Sequence, residues 1–229
     1  MSLSGTTSYN PILGSLFLTA FSRIGVKRTE LTPQHMSDAR EEANLLQVKF
    51  VNEGVLLFKQ ILTSFPMVAG TATYPIASNT VMILDLYISP NGPGGGSNRL
   101  LLPFSRTDLA SLADPTEQGF PTSFFFLRTV NPTITFWPVP DNNAIYECSF
   151  WSYIQQDDAN PAQGGNADLQ YLFLDAYVAG LAHRLARHYA PALEAQRKLD
   201  GDEAFALAMK QNTENVALYI TPGLSGFYR

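Results

Sequence analysis

The sequence is short of charge. Only 15% of its 229 residues are Asp, Glu, Lys or Arg, against about 25% in an ordinary soluble domain. It has one cysteine, Cys148, which excludes an intrachain disulfide and a cysteine-based zinc site. Its three histidines are scattered or badly phased: His183 and His188 stand at i and i+5, on different faces of a helix. No apolar run approaches the ~18 residues of a membrane span. Residues 12–21 come nearest and are interrupted by Gly14, Ser15 and Thr19. Residues 1–22 hold no Lys or Arg to form the basic start of a secretory signal, so synthesis in a reducing cytoplasm is expected. The Asn131-Pro132-Thr133 triplet is closed to glycosylation by its proline.

What is present is aromatic and apolar. Fifteen Phe, ten Tyr and two Trp, with 45% hydrophobic residues overall, exclude a disordered chain, which would be charge-rich and aromatic-poor. The length permits one large domain or two small ones. So apolar a globular chain has too few charges to cover its surface, and part of that surface is expected to be covered by other protein. The net charge of -5 is local: residues 60–165 hold three basic side chains (Arg99, Arg106, Arg128) against eight acidic ones, and the flanks cancel. A protein that reads nucleic acid concentrates basic groups to neutralise phosphates. The middle of this chain does the opposite, which disfavours sequence reading and is compatible with DNA sliding past.

Along the chain, Asn10-Pro11 opens and Gly25 closes a first helix, with Leu13, Leu16, Phe17, Ala20 and Ile24 at helical spacing. Its poverty in charge calls for cover over most of its circumference. A second helix is capped by Thr32, starts at Pro33 and ends at Gly54, with Met36, Ala39, Ala43, Leu46 and Phe50 as its stripe. From about residue 56 the period changes to two. Val81, Ile83, Asp85 and Tyr87 alternate with Met82, Leu84, Leu86 and Ile88 in one strand. A glycine-rich connector (90–98) leads to a strand at 99–103, a helical turn at 108–112, and strands at 121–129, 133–137 and 144–155. In the last, Tyr146, Cys148, Phe150 and Ile154 share one face, and Glu147, Ser149, Trp151 and Tyr153 the other.

After a polar linker (155–166), Tyr171, Leu174, Val178, Leu181, Leu185 and Tyr189 form a helical stripe beside a flat face of Ala176, Ala179, Ala182 and Ala186. Pro191 breaks this helix. Another follows over 192–216, with Gly201 as a point of disturbance, and Thr221-Pro222-Gly223 ends helical structure.

None of the chemical motifs is convincing. The glycines of 92–96 lack the Gly-Lys-Ser/Thr ending of a phosphate loop and lead into a strand. Gly223-Leu224-Ser225-Gly226 misses the second glycine of a nucleophile elbow, because Phe227 holds that position. Asp157 and Asp158 could suggest the carboxylate pair of a glycoside hydrolase, yet neighbours on extended chain point apart and the segment reads as a solvated linker. Arg184 and Arg187, flanked by His183 and His188, either contact phosphates or complement the dipole at a helix end.

Two features ask for a partner. Phe124, Phe125 and Phe126 put bulky groups on both faces of one strand: one face fills a sheet core, and the other needs a helix layer or a neighbouring subunit. Trp137, on the strand that follows, joins them as a candidate contact. Beyond the last helix stop, Leu224, Phe227 and Tyr228 are too few for a core of their own. They form either a frayed end or an arm that docks aromatic groups in a pocket of another protein.

The motifs, in order, resemble those of head-to-tail adaptor (connector) proteins of short-tailed bacteriophages. The resemblance lies in GTATYPIASNTVMILDLYI (70–88), FSRTDLASLADPTEQGFPTSFFFL (104–127), PTITFWPVPD (132–141) and the Ala/Leu-rich helix at 169–189, and it covers about residues 10–216. It implies an α+β fold: a helical bundle from the N- and C-terminal helices (1–62 and 166–216), an inserted antiparallel β region (63–165) and an extended C-terminal arm (217–229). It further implies a ring of twelve copies between the portal protein and the tail or nozzle protein, at the head–tail junction of the virion. Such a ring extends the channel and helps retain packaged double-stranded DNA, with no cofactor and no membrane. Tyr219, Ile220, Leu224, Phe227, Tyr228 and Arg229 are then the portal-docking arm. The alternatives are a hydrolase or a carbohydrate-binding β module of a phage tail.

Overall fold

The computed structural model describes residues 9–54, 56–90, 92, 97–141, 145–160 and 165–213. Helix α1 (Leu13–Arg23) has no side-chain cap at Ile12. Its start is instead tied to the far end of the β region, through the Ile12–Asn166 bridge and the Leu13 N–H donating to the Gly165 carbonyl at 3.1 Å. Its end is a glycine stop: Gly25 has φ 86°, a left-handed conformation that costs glycine no Cβ clash. Within the chain only one face of α1 is covered, by Leu13, Leu16, Phe17, Ala20 and Phe21. Ser15, Thr19 and Ser22 stay exposed, so hydroxyls rather than charges wet the outer side.

Helix α2 (Pro33–Glu53) begins as its sequence dictates. The Thr32 hydroxyl accepts from the His35 N–H at 3.4 Å, and the His35 ring accepts from the Thr32 N–H at 3.2 Å, a reciprocal cap with proline in the first turn. Helix α4 (Leu174–Tyr189) is the hub, with its alanine face fully buried. Helix α5 (Glu194–Gln211) turns back along α4 and is not disturbed at Gly201. A Cβ there would lie 3.4 Å from the Gly180 Cα and 3.5 Å from the Ala179 carbonyl, so the glycine marks a close helix crossing. Helices α1, α2, α4 and α5 enclose one core, in which Phe17, Phe21, Phe50, Phe173 and Tyr177 are fully buried. Each such ring contributes roughly 1.5–3 kcal/mol relative to exposure.

Between the helix pairs lie two four-stranded sheets. The first has the order β1 (Gln60–Pro66), β10 (Glu147–Ile154), β3 (Thr80–Ser89), β4 (Arg99–Leu100). The second has the order β2 (Thr73–Pro75), β8 (Thr133–Trp137), β7 (Ser123–Leu127), β5 (Leu102–Pro103). Their facing sides meet in a second core, with Leu86, Ile88, Cys148 and Phe150 from one sheet and Phe124, Ile134 and Phe136 from the other. The Phe65 ring bridges them, 5.0 Å from Tyr74 and 6.4 Å from Phe136. A short helix α3 (Arg106–Ala110) starts two residues earlier than its sequence suggests, because Ser105 and Asp108 cap each other across its first turn.

The molecule is therefore α+β, with N- and C-terminal helices packed together around an intervening β region. Three details correct the sequence reading. The expected strand at 99–103 is two strands in different sheets: buried Leu101 is the crossing point between β4 and β5. The β region is not wholly antiparallel, because β5 runs parallel to β7, and β6 (Gln118–Gly119) parallel to β9 (Val139–Pro140). Strand β3 also breaks its alternation. Asp85 pairs with Trp151 and Ile83 with Ser152, leaving Leu84 as a bulge. Ile83 thus joins Leu86 and Ile88 on the sandwich side, while Val81 and Met82 turn to the helical core. Strand β10 is buried on both faces: Tyr153 lies in the helical core, while Cys148 and Phe150 lie in the sandwich.

Candidate functional site

The six arm residues, Tyr219, Ile220, Leu224, Phe227, Tyr228 and Arg229, lie outside the described residues, as do 93–96 of the glycine-rich connector. The other expected contact residues separate by strand parity. Phe124 is 6% exposed and spent on the chain's own sandwich core, against which Phe126 also packs. Phe125 points the other way and meets Phe104, with ring centroids 6.3 Å apart. Trp137 is half-buried and its indole N–H donates to the Asp114 carbonyl at 3.1 Å. The strand thus divides its three phenylalanines between core and outer face, leaving Phe125 and Trp137 as the partly accessible pair.

The two arginines also separate. Arg184 is an internal tie: its guanidinium donates to Glu42 Oε2 at 3.0 Å and to the Leu45 carbonyl at 3.3 Å, fixing α4 to α2. Arg187, in the last turn of α4, pairs with Glu194 at 3.3 Å at the turn into α5 and keeps half its side chain exposed. His183 is buried beside it, and burial and the neighbouring Arg187 push its pKa below the ordinary value. His188 lies apart, 3.3 Å from Glu42.

No catalytic constellation forms around the candidates. Asp157 and Asp158 are exposed, and Asp157 enters the hydrogen-bond network through its backbone N–H, which donates to Asp168 at 2.8 Å. The Cys148 thiol is buried and desolvation raises its pKa, which keeps it from being a nucleophile. Among the described residues no cluster of metal-ligating side chains occurs, and no helix is long and apolar enough to cross a membrane.

What the surface offers instead is apolar area that sequence periodicity did not flag. Leu45 and Val48 on α2 are 53% and 48% exposed, and Leu199 and Leu207 on α5 are 71% and 55% exposed. Ile61 and Leu62 stand out from β1, an edge strand with one side unpaired among the described residues. The only signal in the sequence was the low charge of the chain as a whole.

The family model for the SU10 adaptor protein matches residues 16–221. The chain belongs to that family. It is a phage head–tail adaptor, a structural and non-enzymatic protein associated with the virion, and as an adaptor it binds portal and tail proteins. The hydrolase reading of Asp157 and Asp158 is thereby set aside. No curated protein matches the chain. For a SU10-type adaptor the exposed leucines, the open edge of β1 and the partly accessible Phe125 and Trp137 are the surfaces to weigh as contacts.

Proposed function

We propose that twelve copies of this adaptor close into a ring between the portal and the tail or nozzle protein, extending the DNA channel and helping to retain packaged DNA. Family membership over residues 16–221 carries this reading. In it, 1–62 and 166–216 form the helical body, 63–165 the β region turned toward tail components, and 217–229 an arm whose Tyr219, Ile220, Leu224, Phe227, Tyr228 and Arg229 dock into the portal. Phe125 and Trp137 contribute a contact to a neighbouring copy or the tail. The surface chemistry supports passage of double-stranded DNA without sequence reading: Asp85, Asp108, Asp114, Glu117 and Asp141 are all exposed on the β region and repel a phosphate backbone. Synthesis takes place in the host cytoplasm, before incorporation at the head–tail junction.

The test is the mass and electron-microscopic shape of the full-length protein with and without portal. A twelve-fold ring on the portal is expected, and deletion of residues 224–229 should abolish portal binding while the far-ultraviolet circular dichroism stays unchanged. Undiminished binding by the shortened chain would remove the arm from the reading.

A further inference from the structure

Two exposed surfaces, one on α5 and one between α2 and the β region, each carry apolar groups with one acidic and one basic side chain, and they lie on opposite sides of α2. The first is a ridge on α5. Leu199, Glu203, Leu207 and Lys210 fall within a sector of about 80° at 100° per residue, and all four are exposed. Neither Glu203 nor Lys210 joins an ion pair or a side-chain hydrogen bond among the described residues. Their spacing of seven residues sets the two charges about 10 Å apart along the helix. The opposite face of α5 is the packed one, with Gly201 against α4 and the Phe205 ring tilted against Phe50 of α2, centroids 4.7 Å apart.

The second surface is a groove of about 340 Å³ between α2 and the β region. Leu45, Val48 and Val51 form its helical wall, and Val81, Arg128 and Asp158 stand on the other side. Arg128 and Asp158 are exposed and, like the charges of the ridge, unpaired among the described residues. Two amide groups in the groove lining, Gln47 Nε2 and Gln156 Oε1, are buried without a hydrogen-bond partner among the described residues. The groove therefore offers one positive and one negative group around an apolar wall.

Helix α2 separates the two surfaces. It turns Leu46, Lys49 and Phe50 toward α4 and α5, where Lys49 pairs with Asp202 at 3.6 Å and Leu46 covers Gly180. Val48 and Val51 lie about half a turn away from Leu46 and Phe50. A chain cannot bring its own ridge to its own groove. We infer that the occupant of the groove is the α5 ridge of a second copy: Leu199 and Leu207 cover the Leu45–Val48–Val51 wall, Glu203 meets Arg128, and Lys210 meets Asp158. Because the two patches differ and face opposite ways, the contact is head-to-tail. Repetition of such a contact generates a ring when its rotation closes, and not a two-fold dimer. The inference rests on the ring reading above and assigns that ring its subunit interface.

The experiment uses the full-length chain, with and without portal, read by native mass measurement. Glu203→Arg and Arg128→Glu, each alone, place like charges together and should lower the ring fraction at least about tenfold, with melting temperature unchanged because both side chains are exposed. The double reversal should restore the ring. Rings that persist undiminished in either single variant, or that fail to return in the double variant, overturn the interface while leaving the ring itself standing. A wild-type chain that stays monomeric on the portal overturns the ring, and the interface with it.

Discussion

Ion pairs tie the helices to one another, while among the described residues no charge of the β region joins one. Arg23–Asp175 at 2.6 Å, Arg184–Glu42 at 3.0 Å and Lys49–Asp202 at 3.6 Å each join two helices, and Tyr189 donates to Asp38 across α4 and α2. None of the eleven charged residues between 60 and 165 joins an ion pair among the described residues; Arg99 alone finds a ring, 4.9 Å over Phe120. The sandwich relies on aromatic packing and on hydroxyl pairs, Ser64 with Ser149 at 2.8 Å and Thr73 with Thr135 at 3.0 Å. Low charge therefore has two meanings in one chain. Between the helices a share of the charges serves as ties from one element to the next, whereas in the β region the few charges are left to set the surface potential.

The comparison breaks first on its cores. Phe173→Ala in the helical core and Phe136→Ala in the sandwich should each cost about 3–5 kcal/mol. Because both cores share β10, each should lower the same single thermal transition, followed by calorimetry. Two separated transitions in either variant would show that the cores melt independently.

The next contrast is between paired and single charges. Arg184→Met leaves Glu42 without its arginine partner and should cost about 1.5–3 kcal/mol, whereas Arg128→Met should change stability by less than about 0.5 kcal/mol. Denaturant titration of the two variants sharpens or erases the difference.

A smaller effect is expected at high pH. Desolvation and the hydrogen bond to Asp38 push the Tyr189 phenol from its ordinary value near 10 up to about 12. A raised folded pKa means stability that is complete below pH 10 and is lost as pH rises through 12. The melting temperature should fall across that window, and Tyr189→Phe should flatten the fall. The smallest change concerns the buried Tyr177 hydroxyl, which has no hydrogen-bond partner among the described residues. Tyr177→Phe should be neutral or stabilising by up to about 1 kcal/mol.

Local signals carried the helices and the strands with strong alternation. The Thr32-Pro33 start, the Gly25 stop and the alanine face of α4 are all decided within a few residues, and the structure places them where their chemistry says. The two-faced phenylalanine strand was legible too, with Phe124 in the sandwich core and Phe125 turned the other way. What escaped depends on distant neighbours. The Leu84 bulge exists because β3 must serve two cores, and the crossing at Leu101 exists because two sheets compete for one segment. Gly201 reads as a helix breaker in isolation and becomes a close crossing only beside Gly180. The exposed leucines of α5 were invisible for a related reason, since spacing shows that a helix has an apolar stripe but not that it has a second one facing outward.

Strand β10 has a mechanical consequence. With Tyr153 seated among the helices and Cys148 and Phe150 among the sheets, the same backbone is clamped on both faces and couples the two halves. A push delivered to the sandwich is borne by the helices as compression across one strand. In the ring proposed above, a subunit loaded this way acts as a strut.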